Sequence, residues 1–334
     1  MATDATQRLT IHRVEAPERR ADFAEDTREG LSGKPKSLSP KYLYDDLGSA
    51  LFETITLLPE YYQTRAESEI LEDQHEAILD SIPGTLRLVE LGSGSANKTR
   101  VLIDTILKRQ NTLEYIPIEI SETTLENSSK DLLRWFPGLR ITGFASDYEN
   151  ALGALARDYA AAKKIRTVAL FLGSTIGNLE PEDRYGLLSR IRTMLEAQDA
   201  LVLGTDLKKS LDVLIPAYDD ALGVTAAFNL NLLRRINEEL GGEFDLSQFE
   251  HEARYDEDHG RIEMHLVSKA RQSVKISKLT MTVRFEKGET IHTENSYKFD
   301  PEQLSSMAQK AGFHLDRTWL DSKNQFGLSL FTAQ

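Results

Sequence analysis

Between residues 86 and 204, short apolar runs at 86–91, 115–120, 141–145, 167–172 and 200–204 alternate with stretches of helical apolar spacing near 97–108, 122–135, 149–163 and 181–197. Runs this short suit strands buried on both faces rather than helices. Strand–helix alternation repeated along a chain folds into a parallel sheet with right-handed crossovers and helices on both faces. Ligands of such sheets lie beyond the carboxyl ends of the strands. The residues that follow each run are therefore the candidates for chemistry.

The alternation is flanked by segments of different character. Helical spacing is expected at 21–31, 49–57 and 64–80, with Gly33-Lys34-Pro35-Lys36-Ser37-Leu38-Ser39-Pro40 an extended connection, because each proline disfavours helix before it. Past Asp206 the pattern reads as α+β. Helices are expected at 210–217 and 229–240, and strands at 261–267, 279–285 and 290–297, the last two joined as a hairpin through Glu286-Lys287-Gly288-Glu289. Asp300-Pro301-Glu302-Gln303 is a helix start, Gly312 ends that helix, and strands at 313–320 and 326–332 are placed to complete the sheet begun at Leu86.

Composition narrows the class of partner. Lys and Arg total 40 against 53 Asp and Glu, a net charge of −13 that repels polyanions and argues against nucleic acid. Cysteine is absent, which excludes disulfides, thiolate metal sites and cysteine nucleophiles and permits a reducing compartment. No segment approaches the ~18 uninterrupted apolar residues of a membrane span, and the first twenty residues lack the apolar stretch of a signal peptide. A soluble cytoplasmic monomer acting on a small molecule is the expectation.

Val89-Glu90-Leu91-Gly92-Ser93-Gly94-Ser95 is a strand running into a glycine-rich turn, where a ligand can approach the backbone and a helix N-terminus offers its amides. The stretch from Gly92 to Thr99 departs from a phosphate-binding loop because Asn97 stands where glycine is required, and Leu170-Phe171-Leu172 runs into Gly173-Ser174-Thr175 with no metal-binding acid. Carboxylates occur elsewhere. Glu119 ends the second run, where an acid can accept both hydroxyls of a ribose, and Asp147, beside Tyr148, ends the third, where it can receive an adenine amino group. Taken alone, each acid is more often a helix cap or a solvated loop residue, but both at successive strand ends after the glycine turn favour a nucleoside. With no basic residue set to meet a pyrophosphate, S-adenosylmethionine suits the pattern better than a dinucleotide.

Other features carry less. His251, His259 and His265 lack metal-ligand spacing and are expected to be solvated, so no metal is expected. Gly173-Ser174-Thr175-Ile176-Gly177 has Thr where a nucleophile elbow needs Ser. Glu69, Glu72, Asp73 and Glu76 have the spacing of a wet helix face.

The turn at Val89–Ser95, together with the closing helix and two strands, resembles the class I S-adenosylmethionine-dependent methyltransferases. More narrowly, the run from Lys36 through Lys41-Tyr42-Leu43-Tyr44-Asp45, together with Leu58-Pro59-Glu60-Tyr61-Tyr62, Phe171-Leu172-Gly173-Ser174-Thr175-Ile176-Gly177-Asn178-Leu179 and Ala217-Tyr218-Asp219-Asp220, resembles the histidine Nα-methyltransferases of ergothioneine biosynthesis. The likeness extends from about residue 21 to 330. It implies an α/β protein with a Rossmann-like methyltransferase sheet and an inserted α+β substrate-binding domain. The expected division is 20–66 for the N-terminal helical part of the substrate domain, 67–208 for the S-adenosylmethionine-binding domain, 209–297 for the insertion and 298–334 for the C-terminal completion.

The resemblance also implies trimethylation of the α-amine of L-histidine to hercynine, with S-adenosylmethionine as methyl donor. Asn178 and Tyr218 would hold the substrate carboxylate, Tyr44, Gly173 and Thr175 would lie around the amine and the donor, Tyr61, Glu294 and Ser296 would face the imidazole, and Met264 would line the pocket. Tyr44 and Asn178 are the expected catalytic residues. Gly92, Ser93, Lys98, Glu119, Asp147 and Tyr148, with Tyr44, are expected to bind the donor. Tyr44, Phe52 and Tyr61 could face the growing methylammonium, although Phe52 reads more simply as core. Glu294 and Ser296 stand two apart on an expected strand, so their side chains share a face and can serve both imidazole nitrogens. An indole has a single N–H, so the acid favours histidine over the tryptophan derivatives that related fungal enzymes methylate. A nucleoside-binding module without catalysis is the alternative from another class.

Overall fold

The computed structural model describes residues 8–13, 19–158 and 165–334. The part of the expected 149–163 helix beyond Asp158 lies outside them, as does most of the N-terminal leader. Among the described residues the strands in chain order are β1 (Leu9–Arg13), β2 (Lys36–Ser37), β3 (Leu86–Leu91), β4 (Leu113–Glu119), β5 (Leu139–Ala145), β6 (Arg166–Phe171), β7 (Ala200–Asp206), β8 (Phe249–Asp256), β9 (Arg261–Ser268), β10 (Gln272–Ile276), β11 (Met281–Phe285), β12 (Thr290–Tyr297), β13 (Phe313–Leu320) and β14 (Phe326–Ala333). The chain divides into two compact units. One holds the described residues of Met1–Ala16, Gln63–Leu207 and Phe299–Gln334, the other those of Pro17–Tyr62 and Lys208–Lys298.

The first unit is built on a sheet of order β1-β5-β4-β3-β6-β7-β14-β13. Neighbours from β1 to β7 pair in parallel, while β14 runs antiparallel to both β7 and β13. The last two strands thus complete the sheet that begins at Leu86, as expected from their sequence. Strand β3 is buried at every position and β6 at all but its first, which is why the sequence shows continuous apolar runs there. The helix Pro301–Lys310 starts with a full capping box, the Asp300 side chain accepting the Gln303 amide and Gln303 reaching back to Asp300. Edge strand β1 was not expected. Only its first and third residues are even half-buried, and it is fixed by backbone pairing with β5 and by the Arg8 guanidinium on the Phe136, Pro137 and Leu139 carbonyls, neither of which leaves an apolar pattern.

The second unit has a four-stranded sheet of order β2-β12-β9-β8 and a separate pair, β10-β11. Its core gathers Phe228, Leu232, Leu233 and Ile236 from the helix Val224–Leu240 with Ile262, Met264 and Leu266 from β9. The expected hairpin between β11 and β12 does not form. Met281–Phe285 pairs back onto β10 through the turn containing Thr280, which adopts a left-handed conformation, and β12 pairs with β9 and β2 instead. The four residues at 286–289 do make a local turn, the Glu286 N–H donating to the Glu289 carboxylate, but they change sheets rather than reverse within one. Strands β8 and β10 went unread because polar and charged residues interrupt their apolar positions. Among the described residues no helix is long and apolar enough to cross a membrane.

Candidate active site

The carboxyl ends of β3, β4 and β5, adjacent in the first unit, are tied together by the expected donor-binding residues. Gly92 has φ +69°, and a Cβ there would meet the Tyr148 hydroxyl at 2.8 Å, so both conformation and the approach of Tyr148 require glycine. The Gly92 N–H donates to the Ile118 carbonyl at 2.9 Å. Glu119 accepts the Gly94 N–H at 2.9 Å and the Ser121 N–H at 3.0 Å, which fixes its carboxylate over the glycine turn. Asp147 caps the following helix, accepting the Asn150 backbone N–H at 2.9 Å and side-chain amide at 2.8 Å. A carboxylate has about four lone-pair sites, so capping leaves capacity for an amino group. Tyr148 is edge-on to Phe171, ring centroids 5.6 Å apart, and burial, with the nearby Glu119 charge, pushes its hydroxyl well above the usual tyrosine range.

These residues fit S-adenosylmethionine. A Cβ on Gly94 would meet nothing within 4 Å, so there is open space over the turn, and Glu119 offers the acceptor a ribose diol needs. Lys98 is the one basic residue from Gly92 to Thr99, and its ammonium contacts Glu67, which suits a ligand without phosphate. Beneath the turn, Glu90 accepts from Tyr115 and, at 2.7 Å, from Thr99; burial raises its carboxyl to about 7 against the pull of those bonds.

After β6 the chain turns at Gly173, φ +74°, and Ser174, φ +58°, into a short 3-10 helix, Thr175–Asn178. The turn is pinned from two sides: the Gly173 N–H donates to Glu67, and the Ser174 hydroxyl accepts the Asp206 N–H at 2.9 Å. The Thr175 hydroxyl donates to the Leu172 carbonyl at 3.1 Å. These contacts set Gly173, Thr175 and Asn178 on one rigid corner at the carboxyl edge.

In the second unit the expected substrate residues converge on β12. A bulge lies between His292 and Glu294, and beyond it Glu294 pairs with Met264 and Ser296 with Ile262 across β9. Glu294 and Ser296 therefore project from one face and are 6 % and 4 % exposed. The Ser296 hydroxyl is 2.7 Å from that of Tyr218, at the end of the helix Leu211–Tyr218. Burial pushes the Glu294 carboxyl up to about 8, opposed by the positive charge of Lys298. An aromatic series runs through the same unit: Tyr44 to Phe52 at 5.5 Å, Phe52 to Tyr61 at 6.2 Å and Tyr61 to Tyr218 at 6.4 Å, each edge-on. Phe52 also packs on Phe228 at 6.0 Å, so it belongs to the core as well as to this series.

The profile of the histidine-specific, S-adenosylmethionine-dependent methyltransferases matches residues 23–333. The chain belongs to that family. It is 42 % identical over 305 residues to the histidine N-alpha-methyltransferase of Mycolicibacterium smegmatis, and 41 % identical over 305 residues to that of Mycobacterium tuberculosis; each match spans 91 % of this chain and 93 % of the relative. The ergothioneine biosynthesis protein 1 of Schizosaccharomyces pombe is 28 % identical over 300 residues, covering 87 % of this chain and 38 % of that protein.

Two buried charged residues of this histidine-specific methyltransferase family member escaped the sequence reading. Glu67 lies on the core face of the helix Gln63–Asp80, beside Ala66 and Ile70, and the signal was a carboxylate at an apolar-stripe position. Lys298 continues the alternation of Glu294 and Ser296 and shares their face. The expectation of solvated histidines is corrected for two of three. His251 and His265 are buried: His251 Nε2–H donates to the Tyr218 carbonyl at 2.7 Å while Nδ1 accepts the Asn229 amide at 2.9 Å, and His265 contacts Glu263 at 3.0 Å. They sit on β8 and β9, whose inward faces the polar sequence disguised. His259 is exposed and bonds Asp256 at 2.6 Å. Among the described residues no group of His, Asp and Glu is arranged to hold a metal ion.

Proposed function

We propose that this protein transfers methyl groups from S-adenosylmethionine to the α-amino nitrogen of L-histidine, three in succession, to give hercynine for ergothioneine biosynthesis. The observation that carries the reading is the buried pair Glu294 and Ser296, two apart on one face of β12, beside Tyr218. An acid and a hydroxyl together serve a ring with two nitrogens. An indole would leave the acid half-satisfied, at a cost of roughly 1–3 kcal/mol, or about fivefold to 150-fold in selectivity.

Bound S-adenosylmethionine supplies an electrophilic methyl carbon on a sulfonium leaving group. The chain's own task is to position the neutral amine and to let its proton depart before each transfer. In this reading Gly92, Ser93, Lys98, Glu119, Asp147 and Tyr148 hold the donor, Asn178 and Tyr218 take the substrate carboxylate, and Gly173, Thr175 and Tyr44 surround the amine. Tyr61, Met264, Glu294 and Ser296 enclose the imidazole. The aromatic faces of Tyr44 and Tyr61 suit a nitrogen that gains methyl groups and becomes a fixed cation. The protein is read as a cytoplasmic monomer, with a small molecule and no nucleic acid or membrane as its partner; its elution volume on size exclusion tests the monomer.

The deciding experiment incubates the purified protein with histidine and S-adenosylmethionine and follows the product by mass spectrometry. A gain of three methyl groups on histidine supports the reading. Methylation of a tryptophan derivative in its place, or donor binding without turnover of any amino acid, overturns it.

A further inference from the structure

A lysine completes the face that carries Glu294 and Ser296. Lys298 is 1 % exposed, and its Nζ lies 2.7 Å from the Tyr218 hydroxyl, 2.8 Å from the Ser296 hydroxyl and 4.5 Å from the centre of the Tyr218 ring. With the 2.7 Å contact between the two hydroxyls these atoms close a triangle. Burying a lysine is costly, and an apolar side chain of similar length would fill the same volume without that cost.

We propose that Lys298 is a positioning residue for the amino-acid substrate, fixing by its two hydrogen bonds the directions in which the Tyr218 and Ser296 hydroxyl protons point. This rests on the functional reading above. A lysine ammonium has three donors and no acceptor, so it donates to both oxygens. Tyr218 and Ser296 have one proton each, and one of those is spent on their mutual bond. Within the triangle itself, one hydroxyl proton of the pair goes unused.

A carboxylate can only accept, so that proton belongs to Tyr218 once the substrate is bound, and Ser296 donates to Tyr218. Ser296 then presents a lone pair to the imidazole and takes its N–H. The other ring nitrogen of a neutral imidazole is an acceptor, which a protonated Glu294 satisfies; the burial that raises its carboxyl to about 8 agrees with that state at neutral pH. Lys298 thus selects one tautomer of a neutral ring. Its charge also strengthens the Tyr218 hydroxyl as a donor to the carboxylate.

The test is steady-state kinetics of Lys298→Met and Lys298→Arg, alone and with Tyr218→Phe or Ser296→Ala. Lys298→Met is expected to raise the histidine KM by about tenfold or more, with a smaller fall in kcat and donor affinity within about twofold of wild type. Lys298→Arg should recover part of the loss. Combined with Tyr218→Phe, the effect of Lys298→Met should shrink, because it acts through the hydroxyl. A KM within about twofold of wild type, or losses that add in full, overturns the inference. Should Lys298→Met fail to fold, Lys298→Gln, which keeps an N–H donor without the charge, decides in combination with Tyr218→Phe: losses that couple support the positioning role and losses that add in full overturn it. Wild-type protein that methylates no histidine defeats the functional reading itself, whereas normal wild-type turnover with an indifferent Lys298 defeats the positioning role alone.

Discussion

Glu67 accepts the backbone N–H of Gly173 on both carboxylate oxygens, at 2.8 and 3.0 Å. The Lys98 ammonium closes on the same carboxylate, which is wholly buried. One side chain thereby ties the helix Gln63–Asp80 to the turn after β6 and to the segment after the glycine-rich loop. Gly204 makes room for it, since a Cβ there would come within 2.1 Å of a Glu67 oxygen.

Removing that carboxylate leaves a buried N–H without an acceptor and a lysine without its counter-charge. Glu67→Ala should therefore destabilise the protein by about 3 kcal/mol or more in denaturant titrations and weaken donor binding. Glu67→Gln, which keeps an acceptor for Gly173, should cost distinctly less. An alanine variant with the wild-type unfolding midpoint would contradict the tie.

Gly92 meets two separate demands, a positive φ and the nearness of the Tyr148 hydroxyl. Gly92→Ala should lower donor affinity and stability together, the conformational part amounting to about 1 kcal/mol. Tyr148→Phe introduced into Gly92→Ala relieves the clash with the hydroxyl and leaves the φ penalty, so calorimetry should register partial recovery. Full recovery, or none, would mean that one of the two demands is absent.

Glu119 is held by two backbone N–H groups before any ligand arrives, whereas Asp147 spends both oxygens on Asn150. Glu119→Ala should accordingly weaken S-adenosylmethionine binding by about tenfold or more, and Asp147→Ala should both weaken binding and lower the melting temperature through its lost cap. Undiminished affinity in both variants would falsify the nucleoside assignment.

What could be read in advance follows from how each residue is buried. The parallel strands announce themselves because both faces are covered, and the capping box at Asp300 is a local motif that needs no tertiary context. Glu294 and Ser296 were legible as a same-face pair because period two is a property of any strand. The bulge after His292 was not legible, since a register shift depends on the partner strand. The hairpin expected at 286–289 failed for the same reason: a turn sequence specifies a turn, while the choice of strand partner is settled by packing far along the chain. Glu67 and Lys298 look like surface residues by type, and only the partners brought to them by the fold explain their burial.

The protonation of Glu294 has consequences for both stability and activity. Its carboxyl is raised from 4.5 to about 8 in the folded protein, with burial as the main cause and the Lys298 charge opposing. The unfolded chain ionises it near 4.5, so its contribution to stability is fully present below that pH and is lost as pH rises through about 8. Glutamine imitates the protonated form and cannot titrate. Relative to Glu294→Gln, wild-type stability should therefore decline across that window and level off above it. The ratio of wild-type to Glu294→Gln kcat/KM for histidine should fall as pH rises through about 8, because an ionised Glu294 no longer donates to the ring. Denaturant melts and kinetics on the two proteins at matched pH values measure both effects, and a ratio flat from pH 6 to 9 would show that Glu294 does not act as a hydrogen-bond donor to the substrate.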